Sequence, residues 1–230
     1  MQRADTFGFS GRLVTLGRYN LWFTNADFLK MAETSGFKPK YTPGEDEDLA
    51  PNGGMSSRLF FRTLGFSELI EIEYFDEAPG LYIFDLNSQE TPEDLIDTAD
   101  AVFDFGTSEH VFHTPRLLAH IGRMLRSGGI VAHHTPMNNQ VNHGFYQFSP
   151  TLYADYYGVN GYETLDFAAN LAADYDAPDQ QFVPLDAKQA VEVIYKTSEM
   201  LAMNTFFARK TDRSTINVFP QQSFYQKPDS

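Results

Sequence analysis

Between residues 100 and 150 the chain alternates apolar runs with polar loops in an order that few architectures accept. Residues 101–105 (Ala-Val-Phe-Asp-Phe) read as a buried strand. They are followed by the polar turn Gly-Thr-Ser-Glu-His, an amphipathic helical stretch, Ser-Gly-Gly, a second apolar strand at 130–132, and another polar loop. The helix has Thr114 as its cap and Pro115 in its first turn, with Leu117, Leu118, Ile121, Met124 and Leu125 on one face. Arg123 and Arg126 sit near the negative end of its dipole, and Gly128 and Gly129 are expected to stop it. A strand that returns through a helix to another strand needs a crossover, which implies parallel pairing. In an open parallel sheet ligands bind beyond the strand C-termini. Both polar loops lie there, and all six histidines of the chain fall between residues 110 and 143.

The same alternation extends in both directions. Residues 13–16 form a first strand ending at Gly17, and Thr24 or Asn25 caps a helix through Phe28, Leu29 and Ala32 that stops at Gly36. Residues 38–54, rich in Pro, Gly and acid, read as a long solvated loop. Ser56 or Ser57 opens a second helix ending at Gly65, and strands follow at 69–72 and 81–84, with a short helix at 92–96. Beyond Pro150 we expect a helix at 152–157, a strand at 163–167, a helix at 187–200 and a last strand at 205–208. This length suits one α/β domain, residues 1–210, with 211–230 as a tail laid over the body or over a neighbouring subunit, so a homodimer stays open.

Charge narrows the partners. With 17 Lys and Arg against 31 Asp and Glu, the net charge of -14 argues against nucleic acid, whose affinity rests on basic residues displacing counterions. The absence of cysteine removes disulfides, thiolate nucleophiles and cysteine metal sites. No apolar run approaches the roughly 20 residues of a membrane span, so we expect a soluble, cytoplasmic protein without a membrane partner. Aromatic residues make up 15% of the chain and many sit beside Gly, Asn and His, which points to an aromatic-lined pocket for a small molecule, a sugar or a peptide.

The motifs Leu16-Gly17-Arg18, Asp85-Leu86-Asn87, Gly-Thr-Ser-Glu-His-Val-Phe (106–112) and His-Gly-Phe-Tyr-Gln-Phe-Ser-Pro (143–150) together resemble a bacterial branch of the class I S-adenosylmethionine (SAM) dependent methyltransferases. The resemblance covers roughly residues 10 to 210 and is most specific in the later motifs. It implies a Rossmann-like three-layer α/β/α sandwich with a mostly parallel seven-stranded sheet, an antiparallel last strand, and SAM across the C-terminal edge. The implied activity is methylation of oxygen or nitrogen on a small polar metabolite, glycan unit or peptide. One departure stands out: the family's Gly-x-Gly-x-Gly loop is reduced to Gly17, followed by Arg18-Tyr19-Asn20. Either the loop takes another route, with Arg18 or Asn20 meeting the SAM carboxylate, or the site is degraded and the chain is a non-catalytic binding or assembly protein.

The resemblance assigns Gly17, Arg18, Glu71, Asp85, Leu86, Asn87, Asp104, Gly106 and Thr107 to the cofactor. Glu71 aligns best with the ribose hydroxyls, although Glu73 lies on the same face one strand repeat later. Asp85 would accept from the adenine amino group, with Leu86 against the ring. For proton removal from the acceptor, imidazole suits neutral pH, which nominates His110, beside Glu109, and then His143. His134, Asn138, Asn139, Phe145 and Tyr146 are the candidate substrate contacts. His110, His134 and His143 with Asp104 or Glu109 could gather at one edge. No short ligand spacing supports a metal, and none is expected.

Overall fold

A computed structural model describes residues 2–75, 78–174, 180–185 and 199–225. The helix expected at 187–200 falls almost wholly outside them. Capping chemistry sets the first half. After helix α1 (Gln2–Phe7) and strand β1 (Gly11–Leu16), helix α2 (Asn25–Ser35) opens with a reciprocal capping box, Thr24 with Asp27, and ends on Gly36 in the left-handed region. The Ser56 hydroxyl accepts from the Leu59 amide to start α3 (Ser57–Leu64), and Gly65 closes it. Strands β2 (Phe66–Glu73), β3 (Tyr82–Ile83) and β4 (Ala99–Phe105) follow. The apolar run at 81–84 thus yields only two paired residues, because at the sheet edge they meet β2 alone.

Helix α4 (Thr114–Met124) matches its apolar stripe but not its expected ends. Its cap position is His113, and the Thr114 hydroxyl is buried without a hydrogen-bond partner. Leu125 has already turned extended, so Gly128 and Gly129 do not stop the helix. They lie inside β5 (Leu125–Asn138), where the register against β4 shifts; the Gly128 amide donates to the Lys210 carbonyl, and the Lys210 amide donates to the Gly129 carbonyl. Helix α5 (Pro150–Val159), with Ser149 as its cap, leads into β6 (Glu163–Ala172), β7 (Gln181–Pro184) and β8 (Leu201–Arg209).

The sheet order is β3-β2-β1-β4-β5-β8-β6-β7. Strands β1 to β5 pair in parallel, and β8 inserts antiparallel between β5 and β6. The sheet therefore has eight strands rather than seven among the described residues, because β7 adds an antiparallel partner at the β6 edge. Two apolar layers follow from the pleat. Leu13, Ala101, Phe103, Ala132 and Phe207 face Phe28, Leu59 and Phe61 of α2 and α3, whereas Val14, Val102, Val131 and Phe206 face Leu117, Ile121, Tyr153 and Tyr157 of α4 and α5. The result is a Rossmann-like α/β/α sandwich. Residues 211–218 run back over α5: the Thr215 amide donates to the Asn160 carbonyl, and the Tyr156 hydroxyl donates to the Ile216 carbonyl at 3.0 Å. Among the described residues no helix is long and apolar enough to cross a membrane.

Candidate functional site

Strands β1, β2 and β4 end side by side, and the three turns that leave them enclose a cleft of about 390 Å³. Gly17 starts the first turn. Its φ is +85°, its amide donates to the Ile72 carbonyl, and a Cβ there would come within 2.9 Å of the Thr107 hydroxyl, so glycine is needed for the approach of the two turns. Thr107 fastens that approach by donating its hydroxyl to the Leu16 carbonyl at 2.5 Å. The side chains after Gly17 line the cleft rather than fill it. Tyr19 folds back over the sheet, accepting from the Phe105 amide and donating to the Phe103 carbonyl at 3.0 Å. Arg18 points toward Glu71, 3.5 Å away. The loop thus takes a route of its own, and the cleft stays open.

Across the cleft, Asp85, Leu86 and Asn87 form the turn after β3. The Asp85 carboxylate accepts from the Asn87 amide at 2.8 Å, and the Asn87 side-chain oxygen accepts from the His113 amide, which ties this turn to the start of α4. The strand-end acid facing the cleft is Glu73, and its Oε1 accepts the Arg18 amide at 2.7 Å. Glu71 is not among the cleft residues. It lies one repeat back on the same face, buried, accepting the Ser57 hydroxyl at 2.6 Å at the start of α3. The difference follows from where β2 ends: the strand runs through Glu73, so the last carboxylate reaches the edge.

Asp104 and His134 lie away from the residues that line the cleft. Asp104 is fully buried and turned away from the cleft. One oxygen accepts the Ser108 and Thr107 amides, and the other lies 2.7 Å from His133 Nδ1. His133 Nε2 in turn lies 2.7 Å from the Tyr157 hydroxyl, and Tyr153 stacks on its ring at 4.4 Å. This network fixes the turn after β4. Sequence reading passed over His133, although Val131 and His133 share a face under a period of two. His134, the next residue, necessarily points the other way. It sits on the α1 and α3 side beside Phe60, Phe105 and Thr205, and burial pushes its pKa down to about 4.

Beyond Thr107 the chain makes a single 3₁₀ turn, Ser108–His110, which delivers Glu109 inward and His110 to the cleft rim. The second aromatic-polar loop closes onto this turn: the Phe145 and Tyr146 amides both donate to the Glu109 carbonyl, at 2.7 and 3.3 Å, and the Tyr146 hydroxyl donates to the Phe112 carbonyl. Gly144 permits the clamp, since a Cβ there would stand 2.8 Å from that carbonyl. The motifs at 106–112 and 143–150 thus become one wall, with Phe112 and Phe145 packed edge to face and exposed. Asn138 and Asn139 are not brought into it. Asn138 ends β5 against Ala202, and Asn139 donates its amide to the Met200 carbonyl.

Glu109 carries the unusual electrostatics. Its side chain is fully buried, and neither carboxylate oxygen has a hydrogen-bond partner. Burial, opposed in part by its own backbone amide and reinforced by the charge of Asp104, raises its pKa to about 7. Its Oε1 lies 3.4 Å from His143 Nε2 and 3.9 Å from His110 Nε2, and the two imidazoles are 5.1 Å apart between ring centres. Burial and the neighbouring His143 lower the pKa of His110, so it is neutral and able to accept a proton at pH 7.

No family model and no curated protein matches the chain. Among solved structures it is similar to a SAM-dependent methyltransferase from Archaeoglobus fulgidus (11% identity, 91% of this chain and 90% of that one, TM-score 0.48). It is also similar to YcgJ from Bacillus subtilis (10% identity, 92% and 97%, TM-score 0.47). A third is the Burkholderia thailandensis 1,6-didemethyltoxoflavin-N1-methyltransferase, solved with S-adenosylhomocysteine (11% identity, 90% and 74%, TM-score 0.46). Likeness at this level carries no argument, and the strand order and pairing of the sheet stand without it.

Proposed function

We propose that this protein is a SAM-dependent methyltransferase acting on an oxygen or nitrogen of a small polar metabolite, glycan unit or peptide. The observation that carries the reading is the open cleft at the ends of β1, β2 and β4, bounded by the Gly17 turn, Glu73 and Asp85, with His110 on its rim. Glu73 accepts the ribose hydroxyls, Asp85 accepts from the adenine amino group, Leu86 packs on the ring, and the turns at Gly17 and at Gly106-Thr107 flank the methionine portion. Aromatic faces and the acidic wall favour the sulfonium.

The acceptor docks between the His110 rim and the Phe112–Phe145 wall, with Tyr146 beside it. Its lone pair attacks the methyl carbon in line. The new bond forms as the carbon–sulfur bond breaks, and that electron pair stays on sulfur, leaving neutral S-adenosylhomocysteine. An acceptor that begins protonated must also lose a proton, and neutral His110 takes it. The test is calorimetric titration with SAM and S-adenosylhomocysteine. Saturable one-to-one binding is expected, and at a hundredfold excess over Kd it should stabilise the fold by about 2.7 kcal/mol. Absence of both heat and thermal shift at millimolar cofactor would leave the binding-protein reading in its place.

A further inference from the structure

We infer that Glu109, His110 and His143 form a binding site for one divalent transition-metal ion of the zinc type at the rim of the cleft. One oxygen of Glu109 and one ring nitrogen of each histidine lie within 4.8 Å of one another, and the trio is the set of this kind found among the described residues. Two neutral imidazoles with one carboxylate is the donor set of open, catalytic zinc sites, which keep a fourth position for water or substrate. Metal–ligand bonds of roughly 2.0–2.2 Å place tetrahedral donor atoms roughly 3.3–3.6 Å apart. The Glu109–His143 separation of 3.4 Å already meets that spacing, and the Glu109–His110 separation of 3.9 Å needs a shift of a few tenths of an ångström in a half-exposed ring.

The second observation is Glu109 itself. A fully buried carboxylate whose two oxygens make no well-formed hydrogen bond, with only its own backbone amide acting on it, is costly to keep, and here it is aimed at two imidazoles on the solvent side. A cation between them supplies the missing partner. The scaffold around the trio is built rather than loose: Asp104 holds the turn that presents Glu109 and His110, and the Glu109 carbonyl holds the loop that presents His143. The side chains of His110 and His143 are 49% and 39% exposed, which leaves the open coordination position facing the acceptor side. An ion held there would occupy His110 Nε2, so proton acceptance by that ring belongs to the metal-free protein, and the ion would supply Lewis acidity at the same rim.

This inference does not depend on methyl transfer, and its test measures the metal directly. The full chain, stripped with a chelator and dialysed, is titrated with zinc chloride by calorimetry and with cobalt chloride by visible absorption. One ion per chain is expected, with the strong d–d bands of a low-coordinate cobalt site. Glu109→Gln, His110→Ala and His143→Ala should each weaken zinc binding by at least about tenfold, since even residues that only support a ligand cost that much. His113→Ala, outside the trio, should bind as the parent does. Parallel titration with S-adenosylhomocysteine separates the two readings. Cofactor binding without zinc binding overturns the metal site alone, whereas zinc binding without cofactor binding overturns only the methyltransferase reading. Zinc binding that survives both Glu109→Gln and His143→Ala would also refute the assignment.

Discussion

The exchange of Glu71 for Glu73 at the cleft can be tested by one pair of isosteric variants. Glu73→Gln keeps an oxygen that can hold the Arg18 amide, 2.7 Å away, so the turn after β1 should survive. It removes the charge that the ribose hydroxyls would meet and replaces one acceptor oxygen with a donor. Hydrogen bonds to charged groups contribute about 1.5–3 kcal/mol, roughly twice the neutral value. Losing that difference over two hydroxyls should weaken S-adenosylhomocysteine binding by about 2 kcal/mol, about 30-fold in Kd. Glu71→Gln should behave oppositely. Its carboxylate holds Ser57 from a buried position, so unfolding stability should fall by about 1–3 kcal/mol while cofactor affinity stays within about threefold of the parent. Calorimetric titration and urea denaturation of the two proteins read both quantities. A loss of affinity in Glu71→Gln with none in Glu73→Gln would refute the placement of the ribose.

Two stability predictions follow from the buried network and its neighbour. Asp104→Ala strands the buried His133 imidazole and frees the Thr107 and Ser108 amides, so urea unfolding should show a loss of about 3–5 kcal/mol; a loss below 1 kcal/mol would mean that the turn does not rely on it. Burial holds the folded-state pKa of His134 near 4 against about 6.5 unfolded, so between these values the unfolded chain binds the extra proton. Its contribution is complete above about pH 6.5 and is lost as pH falls toward 4. Between pH 7 and pH 5 the parent should therefore lose about 1–2 kcal/mol more than His134→Gln, and equal losses would contradict the burial argument.

Helix boundaries were legible wherever a side chain closes its own turn. Thr24 with Gly36 and Ser56 with Gly65 are chemical punctuation, and the structure uses each of them. The ends of the long strands were not legible, because their interruptions look like stops. Pro136 sits within β5, tolerated where the register shifts opposite β8, and Gly128 and Gly129 look like a helix terminator while pairing with Lys210. At the site, Gly17, Asp85, Asn87, Thr107 and His110 line the cleft. Glu71 and Asp104 lie outside the cleft lining for one reason: a carboxylate's surroundings depend on whether the strand ends at it or runs past it, and whether it meets a neighbour such as Ser57 or His133 that is remote in sequence. The meeting of Glu109 with His143 was one of several gatherings that the motifs allowed, and no local spacing singled it out.

The clamp between the Glu109 carbonyl and the amides of Phe145 and Tyr146 makes two distant stretches of chain a single mechanical part. On the proposed function, a new acceptor preference cannot be created here by exchanging the loop at 140–148 alone, as one might exchange an antibody loop on a fixed frame. Any replacement that fails to return two amides to that carbonyl, or that carries a side chain at Gly144, also displaces the carboxylate beneath it. Side chains that face outward from the joint, such as Val141 and Phe145, can change without disturbing it. Wider change needs paired substitution of both segments at once.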